Sequence, residues 1–189
     1  MPNHRRDDVL RIPALAADLP WFLPGFATSV VIGFLVRHRA ARFLGASPLL
    51  GWVVVVSLGI IASATLTPLR EGAFEGGAQA EGCDFSRVGL ASLKDILELG
   101  DTFLNILLFI PLGAALALLP RSRRKAWLMA GALALPIVIE TTQLIATPLG
   151  RACQSADVVD NVSGLLIGFV IGSVAGFVMS RTRANPGRR

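Results

Sequence analysis

Long uninterrupted apolar runs are the feature that most constrains this sequence. Five such runs lie at about residues 19–36, 49–66, 102–119, 126–145 and 158–179. A helix of ~20 residues crosses the ~30 Å hydrocarbon core of a bilayer. In lipid, backbone polar groups must be satisfied within the segment, so continuous apolar runs indicate helices rather than barrel strands. The sequence therefore predicts an all-α, polytopic integral membrane protein, a bundle of about five transmembrane helices.

The composition supports this prediction, since hydrophobic residues make up 53% of the chain and charged residues only 16%. A soluble domain of this length could not hide so much apolar surface behind so few charges. The predicted organisation is an N-terminal segment at 1–18, a transmembrane helical domain at 19–180 and a basic cytoplasmic tail at 181–189.

The charged residues are sorted between the connecting segments. Basic residues concentrate after the first, third and fifth spans, and no acidic residue accompanies them there. The remaining segments hold all of the acidic residues except Glu140, which lies inside the fourth span. The positive-inside rule then predicts an N-out/C-in orientation. The net charge of +5 indicates no nucleic-acid partner, because no basic stripe is interleaved with aromatic residues.

The longest connection, at 67–100, is predicted to be extracytoplasmic. Its middle, from 71 to 82, is rich in glycine and acidic residues. The spacing of leucines in residues 92–99 suits a short amphipathic helix on the membrane surface, and a solvated linker is the alternative. Cys83 lies in this connection and Cys153 in the loop after the fourth span, so both face the compartment that tolerates disulfides. A Cys83–Cys153 bridge is predicted, with two free thiols as the alternative.

Polar residues recur at helical spacing near the predicted outward ends of the last three spans. Because acidic side chains cost ~2.5–3.5 kcal/mol at the bilayer centre, these residues are expected to face one another around a small wet pocket. They are Asp101 and Asn105 on the third span, Glu140 and Gln143 on the fourth, Asp157, Asp160 and Asn161 on the fifth, and Arg151 in the loop between the last two.

Each of these residues also has a structural interpretation. The aspartates complement the positive ends of helix dipoles, and the amides are typical interhelical hydrogen-bonding groups. Glu140 differs because it lies near the C-terminal end of its helix, where the dipole disfavours an anion. It is therefore either protonated or paired with a cation such as Arg151 or a substrate group, and it is the candidate catalytic residue.

Two patterns concern packing rather than chemistry. Glycines recur every fourth residue at 164, 168, 172 and 176, a stripe that lets another helix approach closely. Pro111 and Pro136 interrupt the third and fourth runs and are expected to kink them. The histidines, His4 and His38, lie away from the predicted pocket, which excludes a histidine-dependent hydrolase or phosphatase there.

Several motifs together carry a family resemblance over roughly residues 50 to 180. They are Thr65-Leu66-Thr67-Pro68, Asp101 with Asn105 and Phe109-Ile110-Pro111-Leu112-Gly113, Ile139-Glu140 with Gln143, Arg151, and Asp157 with Asp160-Asn161, Gly164 and Gly168. In these motifs the chain resembles the VanZ-like family of bacterial membrane proteins. That family is named for a glycopeptide-resistance protein associated with reduced susceptibility to teicoplanin. The resemblance implies a multi-pass, envelope-related protein of the bacterial cell membrane.

Two classes of function follow. In the first, the protein binds or modifies an amphiphilic envelope molecule in the lipid bilayer, such as a lipid-linked precursor or a glycopeptide-related ligand. Glu140 would be the acid, base or polar anchor, and Arg151 would meet phosphate or carboxylate. The polar residues Asp157, Asp160 and Asn161 would hold sugar hydroxyls or a cation; no cofactor is evident, and a divalent cation remains open. In the second, the chain is a non-catalytic membrane factor whose polar cluster only joins helices. A transporter is weaker, because no inverted repeat is visible.

Overall fold

The computed structural model describes residues 20–68, 82–98 and 100–184. These residues form six α-helices and one short 3₁₀ helix at Thr147–Leu149, and no strand longer than an isolated bridge. The all-α fold is thereby confirmed. The helices are α1 (Phe22–Leu44), α2 (Pro48–Thr65), α3 (Leu93–Leu97), α4 (Asp101–Ala117), α5 (Arg123–Ile145) and α6 (Ser155–Ala184).

Three helices, α2, α5 and α6, are long and apolar enough to cross a membrane. Helix α4 is a shorter apolar helix of 17 residues. Helix α1 continues to Leu44, so Arg37, Arg39 and Arg42 lie in its last turns rather than in the loop where they were expected. Five spans and the N-out/C-in orientation stay predictions. The segments 1–18 and 71–81 lie outside the described residues.

Local signals explain where the helices begin and end. The side chain of Ser47 accepts a hydrogen bond from the Leu50 amide at the start of α2, with Pro48 in the first turn. Ser122 accepts from the Lys125 amide in the same way at the start of α5. Helix α1 ends at Leu44 and is capped by Gly45, whose φ of 64° is a left-handed conformation that favours glycine. These caps separate the apolar runs into distinct helices.

The glycine stripe of α6 packs against α4, as the spacing predicted. A Cβ atom at Gly164 or Gly168 would overlap the backbone carbonyls of Ile106 or Ile110, so only glycine permits this approach. Gly113 of α4 meets the backbone of α6 in the same way. Phe109 and Leu165 are fully buried beside this contact. The resulting seam fixes the register of α4 against α6.

Helix α3 corresponds to the amphipathic helix expected at 92–99, although it covers only five residues. Its Leu93 and Leu97 side chains are both exposed. Their location at a membrane surface stays a prediction. Pro111 and Pro136 lie inside α4 and α5, and the kinks expected there also stay predictions.

Candidate functional site

Helix α6 begins with three polar residues that turn inward. Asp160 and Asn161 are each 1% exposed, and Asp157 is half-buried. The Oδ1 atom of Asn161 is buried and accepts no hydrogen bond from the described residues. Since Asp157 and Asn161 are four residues apart, they share a helix face. The inward orientation expected from the sequence is therefore observed for α6.

Asp157 is joined to helix α4 by a hydrogen bond. The Nδ2 atom of Asn105 donates to Asp157 Oδ1 at 2.8 Å. The short asparagine side chain can reach across because Gly164, two turns along α6, lets the helices meet at Ile106. Asp101, one turn before Asn105, is exposed. Two of the predicted residues thus join α4 to α6 directly.

Asp160 forms a bidentate ion pair with Arg87, a residue that the sequence analysis did not include in the site. The guanidinium donates from Nη1 to Oδ1 at 3.0 Å and from Nη2 to Oδ2 at 2.5 Å. The hydrogen bonds to Asp160 raise the pKa of Arg87. The sequence feature that could have identified Arg87 as a site residue is its position in the chain. Arg87 follows Cys83 by four residues, and the predicted partner Cys153 precedes Asp160 by seven.

The segment 82–91, which we call the outer strap, is held against the beginning of α6. The Cys83–Cys153 disulfide is present, as predicted. Asp84 donates its amide to the Cys153 carbonyl at 2.9 Å and accepts from the Ser155 amide at 2.9 Å. The Ser155 hydroxyl also donates to the Arg87 carbonyl at 2.8 Å. The covalent bond and these hydrogen bonds together place Arg87 over Asp160.

Glu140 is buried on α5 and is only partly satisfied. It is 5% exposed, and its Oε2 atom accepts a hydrogen bond from the Gln154 amide at 2.8 Å. Within the described residues its Oε1 atom accepts none, and no basic side chain lies within 4.0 Å. Gln154 follows Cys153 directly, so the strap and its disulfide also determine where this amide lies. Glu140 therefore retains acceptor capacity in a buried place.

Arg151 and Gln143 complete the C-terminal end of α2. The last carbonyls of a helix lack partners within it, and in an apolar protein they must be satisfied elsewhere. Arg151 Nη2 donates to Ala64 O at 2.6 Å, and Gln143 Nε2 donates to Thr65 O at 2.8 Å. Arg151 Nε also donates to Thr67 O at 3.1 Å. These contacts give a structural role to the Thr65–Pro68 motif.

Arg151 was one of the alternative partners considered for Glu140, but in the structure it hydrogen-bonds backbone carbonyls. Its contact with a phosphate or carboxylate of a ligand stays a prediction. Burial lowers the pKa of its guanidinium, and the nearby carboxylates of Asp157 and Glu140 act in the opposite direction. Its charge therefore contributes to the electrostatics of the site without a direct ion pair to Glu140. Its Nη1 atom donates no hydrogen bond within the described residues.

These residues form what we call the outer polar cluster, a name that follows the orientation predicted from the sequence. In it, carboxylates outnumber guanidinium groups, and Asp157 and Glu140 have no ion pair in the described part of the chain. Across residues 20–68, 82–98 and 100–184, no group of three or more His, Cys, Asp or Glu side chains is arranged to hold a metal ion. Such a cluster accepts hydrogen bonds and positive charge more readily than it donates. Its members are Arg87, Asp101, Asn105, Glu140, Gln143, Arg151, Asp157, Asp160 and Asn161.

Comparison with known proteins identifies the family of this arrangement. The family model described as VanZ/LLP1 matches residues 54–176, which extend from α2 into α6 and contain every residue of the outer polar cluster. The chain belongs to the VanZ/LLP1 family. No curated protein and no solved structure matches it significantly. The VanZ-like assignment and the three candidate spans together indicate a membrane protein.

Proposed function

We propose that this VanZ-like chain is a multi-pass protein of the bacterial cell membrane that binds or modifies an amphiphilic envelope molecule at its outer polar cluster. The observation that carries the proposal is Glu140, a buried carboxylate with one backbone hydrogen bond and no ion pair in the described residues. A buried charge with a single hydrogen bond and no ion pair is costly. A ligand that donates to Glu140 Oε1 would remove that cost.

The polar groups define the chemistry of the head group that would fit. The Arg87 guanidinium is committed to Asp160, and Arg151 uses its Nε and Nη2 atoms on backbone carbonyls, so only its Nη1 atom could donate to a phosphate. Glu140, Asp157 and Asn161 Oδ1 instead offer acceptor atoms. Hydroxyl, amide or ammonium donors complement them. A lipid-linked cell-wall precursor or a glycopeptide-related ligand carries such donors next to apolar parts.

Glu140 would be the acid, base or polar anchor toward that ligand. In either protonation state it keeps one oxygen for the Gln154 amide and has the other for the ligand. If the ligand is modified rather than only bound, the proton moves at Oε1, the oxygen without a partner in the described residues.

The substitution Glu140→Gln tests this role with little structural change. The amide oxygen of glutamine still accepts from the Gln154 amide, so folding is expected to survive. The carboxylate is lost, so we expect loss of teicoplanin protection in a bacterial host whose susceptibility depends on this protein. We also expect loss of the bound envelope lipid detected by native mass spectrometry. Protein level and unfolding temperature in detergent should stay unchanged.

The matched control is Glu98→Gln, which neutralises an exposed glutamate that pairs with Lys94 in the surface helix α3. It should leave susceptibility and bound lipid unchanged. Glu140→Gln with full protection and full lipid content would contradict the proposal. Equal losses in both variants would point to overall charge rather than to the outer polar cluster.

The second candidate is a non-catalytic membrane factor whose cluster is structural. It is favoured by the internal partners of Asp160, Gln143 and Arg151, each of which joins separate segments. In this case Glu140→Gln has no phenotype, because the single hydrogen bond to Gln154 persists. Glu140→Leu removes that bond and should then lower the unfolding temperature and the protein level together.

A further inference from the structure

A groove lies at the end of the bundle opposite the outer polar cluster. One open cavity of about 550 Å³ is bordered by His38 and Arg42 near the end of α1. A second, of about 420 Å³, is bordered by Arg123 and Arg124 at the start of α5. Gly45 borders both cavities. We call the two together the basic groove.

The positive charge of the basic groove is not compensated by the protein. Arg42 and Arg123 make no hydrogen bond or ion pair within the described residues, whereas Arg124 donates to the Phe43 carbonyl. The acidic residues that the structure describes all lie in the outer strap, in α3 or at its end (Glu98), in the first turns of α4 and α6, or in the last two turns of α5. The groove therefore carries positive charge that the described part of the protein does not neutralise, and this charge attracts anions.

Backbone groups add to this preference. Helix α5 begins at Arg123, and the amides of its first turn have no acceptor within the helix. The Ser122 side chain accepts a hydrogen bond from the Lys125 amide, and no described residue accepts one from the Arg123 or Arg124 amide. Helix N-termini together with arginine side chains bind phosphate oxygens well.

The surroundings of the basic groove indicate that the anion belongs to a lipid. Phe43, between Arg42 and Leu44 in sequence, is 61% exposed, and Trp127, one helical turn after Arg123, is 78% exposed. Tryptophan is typical of the membrane–water interface. Ala41 and Leu44 provide apolar walls. We propose that the basic groove binds the phosphate of an anionic phospholipid, with an acyl chain lying against Phe43 and Trp127.

The test uses the full chain in mixed-lipid nanodiscs and measures retained lipid by native mass spectrometry. The chain should retain phosphatidylglycerol in preference to phosphatidylcholine. The double variant R42Q/R123Q should bind phosphatidylglycerol at least about tenfold more weakly, because two charge-assisted hydrogen bonds are lost. Folding should persist, since neither side chain has an internal partner; an unchanged unfolding temperature in zwitterionic detergent verifies this.

The matched control is R39Q/R181Q, which removes the same charge from the same end of the bundle without touching the residues that border the groove. It should change lipid affinity by less than about twofold, as expected for exposed charges. Equal weakening in the control would overturn the proposal in favour of unspecific surface attraction. Inorganic phosphate that displaces phosphatidylglycerol at equal concentration would overturn the lipid assignment and indicate a free-phosphate site. Equal retention of phosphatidylcholine would also contradict the proposal.

Discussion

The two ends of the helix bundle solve the same electrostatic problem in different ways. At the outer end, Arg87 is paired with Asp160 and Arg151 satisfies carbonyls of α2. At the basic end, Lys125 and Arg124 satisfy carbonyls of α4 and α1, but Arg42 and Arg123 stay unpaired in the described residues. The comparison teaches that three of these cations, Arg124, Lys125 and Arg151, complete the ends of helices, whereas Arg87 neutralises a buried carboxylate. Under the two proposals above, the groups that stay without a partner would select the ligand, a hydrogen-bond donor at the outer end and an anion at the basic end.

Removing Arg87 should have the largest effect, because it leaves the Asp160 carboxylate buried and unpaired. Arg87→Ala is expected to lower the free energy of unfolding by about 3 kcal/mol, measured by denaturant titration in detergent micelles. The control is Arg123→Ala at the basic end, where no internal partner is lost and a change below about 0.5 kcal/mol is expected. Similar losses in both variants would remove the difference between the two ends.

The disulfide should rank next. Cys83 and Cys153 are separated by 70 residues in sequence, and closing such a loop restricts the unfolded chain, which typically stabilises a protein by about 2–4 kcal/mol. The double variant C83S/C153S should unfold at lower temperature than the wild type. Reductant should lower the unfolding temperature of the wild type toward that of the variant and leave the variant unchanged. If the unfolding temperature of the wild type stayed the same after the protein had been unfolded and refolded in reductant, that result would argue against the bridge.

A smaller effect is expected from Asn105, which gives Asp157 its side-chain partner on α4. Asn105→Leu should cost about 1–3 kcal/mol, because a half-buried carboxylate loses its hydrogen bond. The double variant N105L/D157L should recover part of that stability, since neither polar group is then left alone. A double-mutant cycle in micelles measures the coupling. Strictly additive losses would show that the hydrogen bond contributes nothing to stability.

Much of this architecture follows from the sequence because its signals are local. Apolar runs predict helices, the glycine spacing predicts a close approach of another helix, and the position of two cysteines in neighbouring loops predicts their bond. The structure identifies that other helix as α4. The faces of Asp157 and Asn161 follow from helical spacing. In each case the relevant residues either lie in one helix or belong to a rare residue type, such as the two cysteines.

The remaining contacts join groups that carry no sequence signature. Arg87 lies in an irregular segment, 73 residues before its partner Asp160. Glu140 accepts from the backbone of Gln154, and a backbone donor cannot be distinguished by residue type. Arg151 was a candidate partner for Glu140 or for the phosphate or carboxylate of a ligand, and the unsatisfied carbonyls at the end of α2 compete for its donors in an apolar environment. All three contacts depend on how the segments are placed in the tertiary structure.

The smallest effect should come from Lys125, which closes the end of α4 at the basic end. Its Nζ atom donates to Ala117 O at 2.7 Å and to Leu119 O at 3.1 Å, and a cation there also complements the helix dipole. Lys125→Met keeps the apolar stem and removes both bonds, so a loss of about 1 kcal/mol is expected in the same titration. Arg121→Gln, which removes an exposed charge from the loop just before α5, should change stability by less than about 0.5 kcal/mol. If Lys125→Met were equally harmless, the carbonyls of α4 would have to be solvated. Water would then have to reach these carbonyls, so the basic groove would extend further into the bundle than its bordering residues indicate.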